Sequence, residues 1–336
     1  MGVTEASHED DADTVSDLAG RFASGQVRAL ARAISLVERD DPRADELLET
    51  LSRSREGAVR SVGCTGAPGA GKSTLVEAMI HVARSRDATV GVLAIDPSSP
   101  FSGGALLGDR LRMDAHLLDN GVFVRSMASR GQLGGLSPRA REAAWLLGAF
   151  GFDEVIVETV GTGQSELEIP TLVDTTIVVL TPGMGDDVQV DKAGINEIAD
   201  VFVVNKADLP GAERLQQDLR AMLNIGTRTS WTPPVVATVA THPDERIDAL
   251  WHAIDAHRAY LQTDAGGRAT RAQRLREAAA AIVGSRARIW ALAQLNDSRV
   301  AAFEHDCTPR ALARQLWARL AGSGTASSKT DIPRAK

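Results

Sequence analysis

A chain of 336 residues with 43% apolar content is long enough for one large α/β domain with extensions. Its net charge of -7 argues against a general nucleic-acid binder, and no apolar run approaches the roughly 20 residues that a membrane-spanning helix needs. Cys64 and Cys307 form no metal or disulfide spacing, and the first residues carry neither the basic stretch nor the apolar core of a secretion signal, so a reducing cytoplasm is the expected location.

Met1 to Gly20 carries Glu5, Glu9, Asp10, Asp11, Asp13 and Asp17 without a Lys or Arg, which predicts a solvated, partly disordered head. Residues 18–38 read as one amphipathic helix with Val27, Leu30, Ala31, Ile34 and Val37 on one face. Asp41 and Pro42 break it, and 44–51 begin another helix. From Arg60 the pattern changes to alternating strands and helices. Strand candidates are 59–64, 88–95, 122–126, 154–158, 175–180, 201–205 and 235–239. Their near-continuous β-branched runs suit parallel strands covered on both faces. Residues 74–84 and 137–150 have helical spacing, the second with Pro138 in its first turn. The fold class is therefore α/β: a mostly parallel central sheet with helices on both faces and helical extensions at each end. After Tyr260 the strands stop. Residues 270–295 and 308–320 read as two long helices joined near Asn296, Asp297 and Ser298. Arginines crowd the stretch from Arg268 to Arg319, either as solvated faces or as an interface with an acidic partner or a second subunit. Residues 322–336 read as a disordered tail.

The residues that carry chemistry begin at Gly66, Ala67, Pro68, Gly69, Ala70, Gly71, Lys72 and Ser73, which match G-x-x-x-x-G-K-[ST] between a strand candidate and a helix that opens near Thr74. The glycines let backbone N–H groups face a phosphate, and the helix points its positive end at the same anion. Lys72 would reach the β/γ-phosphates, and the Ser73 hydroxyl would bind Mg²⁺. These features mark a P-loop NTPase.

Asn205, Lys206, Ala207 and Asp208 close the strand at 201–205 in an N-K-x-D pattern. A carboxylate at Asp208 can accept two hydrogen bonds from the ring N–H and 2-amino group of guanine, whereas adenine presents a lone pair there. Unpaired polar groups of this kind discriminate by about 10⁴-fold. Asn205 would brace the loop and the Lys206 stem would cover the base. Val239, Ala240 and Thr241 fall where a further base-contacting loop belongs. Three acids, Asp96, Asp109 and Glu158, follow strands or lie in glycine-rich loops and could hold Mg²⁺, which prefers oxygen ligands. Gly161 would let the backbone approach the γ-phosphate. It is followed by Thr162 and not by glutamine, so water activation need not follow the glutamine pattern; slow intrinsic hydrolysis with stimulation by a partner is consistent with that.

Four further blocks, Asp96-Pro-Ser-Ser-Pro100, Gly108-Asp-Arg-Leu-Arg-Met113, Arg130-Gly-Gln-Leu-Gly-Gly-Leu136 and Glu158-Thr-Val-Gly-Thr-Gly-Gln-Ser-Glu166, resemble the signatures of the MeaB/ArgK family of P-loop GTPases. The similarity runs from about Leu30 to about Leu320. It implies a GTP-hydrolysing chaperone that gates adenosylcobalamin loading and protects or reactivates methylmalonyl-CoA mutase, with GTP/GDP and Mg²⁺ as ligands. It also implies a homodimer held by a C-terminal helical arm, and no nucleic-acid or membrane partner. On this reading residues 1–57 are the acidic head and helical extension, 58–262 the GTPase domain, 263–321 the dimerisation arm and 322–336 the tail. Lys72, Asp96, Asp109, Glu158 and Lys192 become the catalytic set, with Ser73 and the three acids on the metal. Residues 181–194 match the mobile loop that senses the mutase in this family, with Lys192 a candidate activator. Three places depart from the family pattern: Thr162 stands where valine is common, Asp191-Lys192-Ala193-Gly194 lacks the paired lysine, and the last guanine loop runs into His242-Pro-Asp-Glu-Arg246 without glycines.

Two other functions use the same loop. A GTPase for nickel insertion usually carries His-rich tracts or Cys ligands, whereas the seven histidines here are scattered. A GTP-switched scaffold would hold its partner with little turnover. Protein-kinase chemistry lacks its H-R-D and D-F-G motifs, and no His sits in a D-x-H-x-x-G motif, so direct cobalamin binding is not expected.

Overall fold

The computed structural model describes residues 14–53, 60–96, 119–128, 138–159, 169–183, 198–225, 231–242, 245–263, 267–295 and 309–323. Among them, seven strands form one sheet: β1 (Ser61–Thr65), β2 (Val90–Asp96), β3 (Val122–Ala128), β4 (Glu154–Thr159), β5 (Thr175–Leu180), β6 (Val201–Val204) and β7 (Val235–Ala237). Their order is β3-β2-β4-β1-β5-β6-β7, and every neighbouring pair is parallel. The helices are α1 (Val15–Ala23), α2 (Val27–Arg39), α3 (Arg43–Arg53), α4 (Lys72–Ser85), α5 (Pro138–Phe150), α6 (Ala212–Ile225), α7 (Glu245–Leu261), α8 (Gly267–Leu295) and α9 (Pro309–Ser323), with a 3₁₀ turn at Ile169–Thr171.

Strand residues alternate between two apolar layers, as a period of two requires. Val155 and Val157 of β4 join Leu93 and Ile95 in a core with α1, α2, α3 and α5. Ile156 points the other way, with Val62, Cys64, Ile177 and Val203, against α4 and α7. A third cluster seats α6 on Val178, Phe202 and Val204. The three N-terminal helices thus share a core with the sheet. Among the described residues no helix is long and apolar enough to cross a membrane.

Several boundaries differ from the sequence reading. The helix expected over 18–38 is two helices, because the chain stops at Ser24-Gly25. There the Ser24 N–H returns to the Gly20 carbonyl and the Gln26 N–H to the Arg21 carbonyl, each at 3.0–3.1 Å, a helix-ending turn that favours glycine. Asp17, grouped by composition with the acidic head, lies in the first turn of α1. Its N–H donates to Thr14 Oγ1 at 3.2 Å, and the Thr14 hydroxyl donates to its carboxylate at 2.6 Å. Such a cap supports the helix start. The helices α6 and α7 were not anticipated, although Leu215, Leu219 and Met222 have helical spacing.

By packing, the chain divides into two units, Met1–Leu275 and Arg276–Lys336, with the division inside α8. The first turns of α8 are fixed within the first unit by a polar cluster at the amino edge of the sheet. Arg274 donates to both carboxylate oxygens of Asp200, at 2.8 Å each. The Thr176 N–H donates to the same carboxylate at 2.8 Å, and His257 Nε2 stands 3.2 Å from it. His257 is itself buried, with Nδ1 2.9 Å from Thr175 Oγ1. The Trp231 indole N–H donates to the Asp200 carbonyl at 2.9 Å.

Burial pushes the Asp200 carboxyl up, but the hydrogen bond with His257, the Arg274 charge and the Thr176 N–H outweigh it, and the net shift is downward. A depressed carboxyl adds stability above its ordinary value of about 4, and that stability is lost as pH falls through the lower folded value. In urea unfolding at pH 7, Asp200→Asn is expected to cost about 3 kcal/mol, as when one partner leaves a buried ion pair. Its stability should also change less than wild type between pH 5 and pH 3. Equal pH dependence in the two proteins would show that Asp200 carries no such linkage.

Candidate nucleotide-binding site

Parallel strands deliver the segments that follow β1, β4, β6 and β7 to one edge of the sheet, and the phosphate-type loop lies at its centre, between β1 and α4. Two of its glycines answer to their neighbours. Gly66 has φ 140°, and a Cβ there would stand 2.2 Å from the Val179 carbonyl oxygen of β5. Gly71 has φ 87°, and a Cβ there would stand 2.5 Å from Asn205 Nδ2. Any side chain would push the loop off the sheet in one case and off Asn205 in the other. Within the loop Ala70 is buried, Ala67 half-buried, and Pro68 and Gly69 exposed; Thr74 is half-buried in the first turn of α4.

Lys72 opens α4 and is only 6% exposed. Its Nζ donates to the carbonyls of Gly66 at 2.7 Å and Ala67 at 3.0 Å. Among the described residues it makes no ion pair. A buried ammonium held by carbonyl dipoles alone favours an anion beside it, at the helix N-terminus where backbone N–H groups also point. The Ser73 hydroxyl donates to Glu158 Oε1 at 2.6 Å. Glu158 lies in β4 opposite Cys64 of β1 and is 2% exposed. With its proton on Glu158, the Ser73 oxygen keeps its lone pairs for a cation.

Cys64 is buried, and its thiol is pushed up by burial first and by the Glu158 charge second, against a smaller pull from Lys72. It therefore stays a neutral thiol and serves as packing. Thr159 follows Glu158, and its hydroxyl donates to Thr65 Oγ1 at 3.3 Å.

Asn205 ties three segments together. Its Nδ2 donates to the Ala70 carbonyl at 3.0 Å. Its Oδ1 accepts from Thr238 Oγ1 and from the Ala240 N–H, both at 3.2 Å. Lys206, at φ 54°, donates from Nζ to the Gly69 carbonyl at 2.9 Å, closing the loop from the other side. Asp208 is exposed in the turn that follows. Val239 is half-buried, Ala240 buried, and Thr241 exposed with its hydroxyl 2.9 Å from His242 Nδ1. Asp96 ends β2 opposite Ala128; its side chain lies outside the described residues, as do Asp109, Gly161 and Lys192. Sequence reasoning missed Thr238 and Thr159. Their signal was a hydroxyl residue at or just beyond the carboxyl end of an apolar strand.

Residues 30–294 match the family model described as methylmalonyl Co-A mutase-associated GTPase MeaB. The chain belongs to the MeaB family. A relative from Pyrococcus abyssi is 46% identical over 273 residues, 80% of this chain and 84% of its own. The GTPase ArgK of Escherichia coli is 40% identical over 250 residues, 72% of this chain and 75% of its own. Among solved structures, one described as an LAO/AO transport system kinase superposes with a TM-score of 0.64 at 29% identity, covering 92% of this chain and 98% of that one. Like its family, this MeaB-family chain is a P-loop GTPase that binds guanine nucleotide with Mg²⁺. The residues present fit that ion: a serine hydroxyl and a carboxylate are hard oxygen donors, here in contact beside the loop.

Removing the Asn205 side chain strips a carbonyl, a hydroxyl and an amide of their partner at once. Asn205→Ala is expected to lose about 3 kcal/mol in urea unfolding, by leaving buried polar groups unmet. It should also weaken GDP binding measured by fluorescence titration. Unchanged values for both would show that the loops hold their positions without it.

Proposed function

We propose that this chain uses GTP hydrolysis to time the loading of adenosylcobalamin into methylmalonyl-CoA mutase, and to protect or reactivate that enzyme. One observation carries the hydrolytic half of this reading: the buried Lys72 ammonium beside the Ser73–Glu158 contact, at the mouth of the 66–71 loop. The client rests on the description of the family, whose match spans most of the chain.

In this reading Lys72 binds the β/γ-phosphates, and the loop from Gly66 through Thr74 wraps them with its backbone N–H groups, of which Pro68 has none. Ser73, Glu158, Asp96 and Asp109 hold Mg²⁺, which when bound supplies charge neutralisation at the phosphates. Gly161 lets the backbone approach the γ-phosphate. Asp208 accepts from the guanine edge, Lys206 covers the base, and Val239, Ala240 and Thr241 complete that pocket. Asn205 positions both loops by the bonds described above. Lys192 is the candidate that completes the site when the mutase docks. The active form is a cytoplasmic homodimer joined through the C-terminal helices, and it makes no direct contact with cobalamin.

Two measurements test the two halves separately. Asp208→Asn replaces one acceptor with an amide donor, so it should lower the preference for GTP over ATP by at least about 100-fold in competition binding. An unchanged preference would move base recognition elsewhere. Lys72→Ala should cut hydrolysis by about 100-fold or more and abolish protection of the mutase during turnover. A variant that no longer hydrolyses GTP yet still protects the mutase would make the protein a GTP-switched scaffold.

A further inference from the structure

The edge of the sheet opposite the nucleotide loop holds a second built site. One face of α8, with Arg268, Arg271 and Leu275 at successive turns, and one face of α5, with Arg141 and Trp145, enclose a cavity of about 570 Å³. That volume is in the range of small-molecule sites. All of its lining residues belong to the first packing unit.

Its lining is rich in cationic side chains. Four arginines line it, and Asp174 is its one acid. Arg274 is committed to Asp200. Asp174 already accepts from the Ser61 N–H at 3.3 Å and the Ser61 hydroxyl at 3.0 Å, and Arg271 approaches it only to 3.8 Å. Arg141 makes no hydrogen bond among the described residues; burial pushes its pKa down, and the charge of Asp174 offsets this only in part. The first turn of α8 contains no acid. Arg268, in that turn, sits at the positive end of the helix, where cations are unfavourable and an anion is stabilised. Apart from Ser61, whose hydroxyl is turned to Asp174, the remaining walls are apolar, with Trp145, Leu172 and Leu261 the largest side chains beside Leu275.

We infer that this cavity binds an amphiphilic organic anion, with its carboxylate or phosphate group against Arg141 and Arg271 and its apolar body against Trp145, Leu172 and Leu261. Guanidinium groups supply forked donors that suit either anion. The apolar walls exclude a bare inorganic ion as the preferred occupant. This inference stands apart from the assignment of the nucleotide site, at the other edge of the sheet.

The test uses the full chain saturated with GDP and Mg²⁺, so that the nucleotide loop is filled. Octanoate, octyl phosphate, octanol and inorganic phosphate are titrated against tryptophan fluorescence, with isothermal calorimetry in parallel. Octanoate or octyl phosphate should bind at least about 10-fold more tightly than octanol and inorganic phosphate. The tighter of the two identifies the anionic group. Arg141→Met and Arg271→Gln should each weaken that binding at least about 10-fold, with GDP affinity and helical circular dichroism unchanged. Trp145→Phe should remove the fluorescence response but leave the calorimetric binding detectable. Because Arg271 is 42% exposed, its variant keeps the test open if Arg141→Met does not fold. Equal binding of octanol, equal binding by the Arg271 variant, or no binding of either amphiphile overturns the inference.

Discussion

Seven parallel strands covered on both faces impose one constraint on everything else in the first unit. The central strands β1, β4 and β5 are apolar on both sides between their ends, so polar groups there collect at the two edges where strands begin and end. Parallel direction then sorts those groups. Segments that leave the strands gather at the carboxyl edge, and segments that enter gather at the amino edge. The 66–71 loop, Glu158 and Asn205 come from three different strands, yet they meet because those strands end in register on either side of β1. This is the crevice of a doubly wound sheet, where ligands bind.

At the carboxyl edge the decisive side chain is one that would touch no phosphate in the proposed reading. Asn205 is 2% exposed and uses its amide in both senses, donating to the phosphate-type loop and accepting from the segment after β7. Its Nδ2 occupies the space that any side chain at position 71 would need. The glycine of one motif and the asparagine of another are thus a single steric and hydrogen-bonded fit. Lys206 reinforces it from the same strand end. A site built this way holds its loops before a ligand arrives, which lowers the ordering cost of binding.

At the amino edge the chemistry is ionic. Asp200 precedes β6 by one residue and joins Arg274, His257 and Thr176 in one cluster. The four residues of β6 therefore run between the anchor of α8 at one end and Asn205 at the other. Both ends are fixed by buried polar groups that fit one register of the strand, since a shift would leave a carboxylate and an amide unmet. The same edge carries the arginine-lined cavity, so the two edges differ in kind: backbone amides and a helix end at one, guanidinium groups at the other.

Much of this was legible in the chain itself. The glycine-lysine-serine run, the N-K-x-D pattern and the apolar strands announce an α/β fold with a guanine-nucleotide loop, because each depends on residues adjacent in sequence. The break at Ser24-Gly25 was missed since the apolar period continues across it, and only the returning hydrogen bonds end the helix. Thr238 was missed because its importance lies in its contact with Asn205. What the sequence by itself determined was the fold class and the chemical identity of the loops. Tertiary structure alone decided the bonds themselves: Asn205 to the Ala70 carbonyl, the Ser73 hydroxyl to Glu158, and Arg274 to Asp200. The physical reason is separation. These partners are 135, 85 and 74 residues apart, and no local propensity encodes a bond whose two halves are brought together only by closure of the sheet.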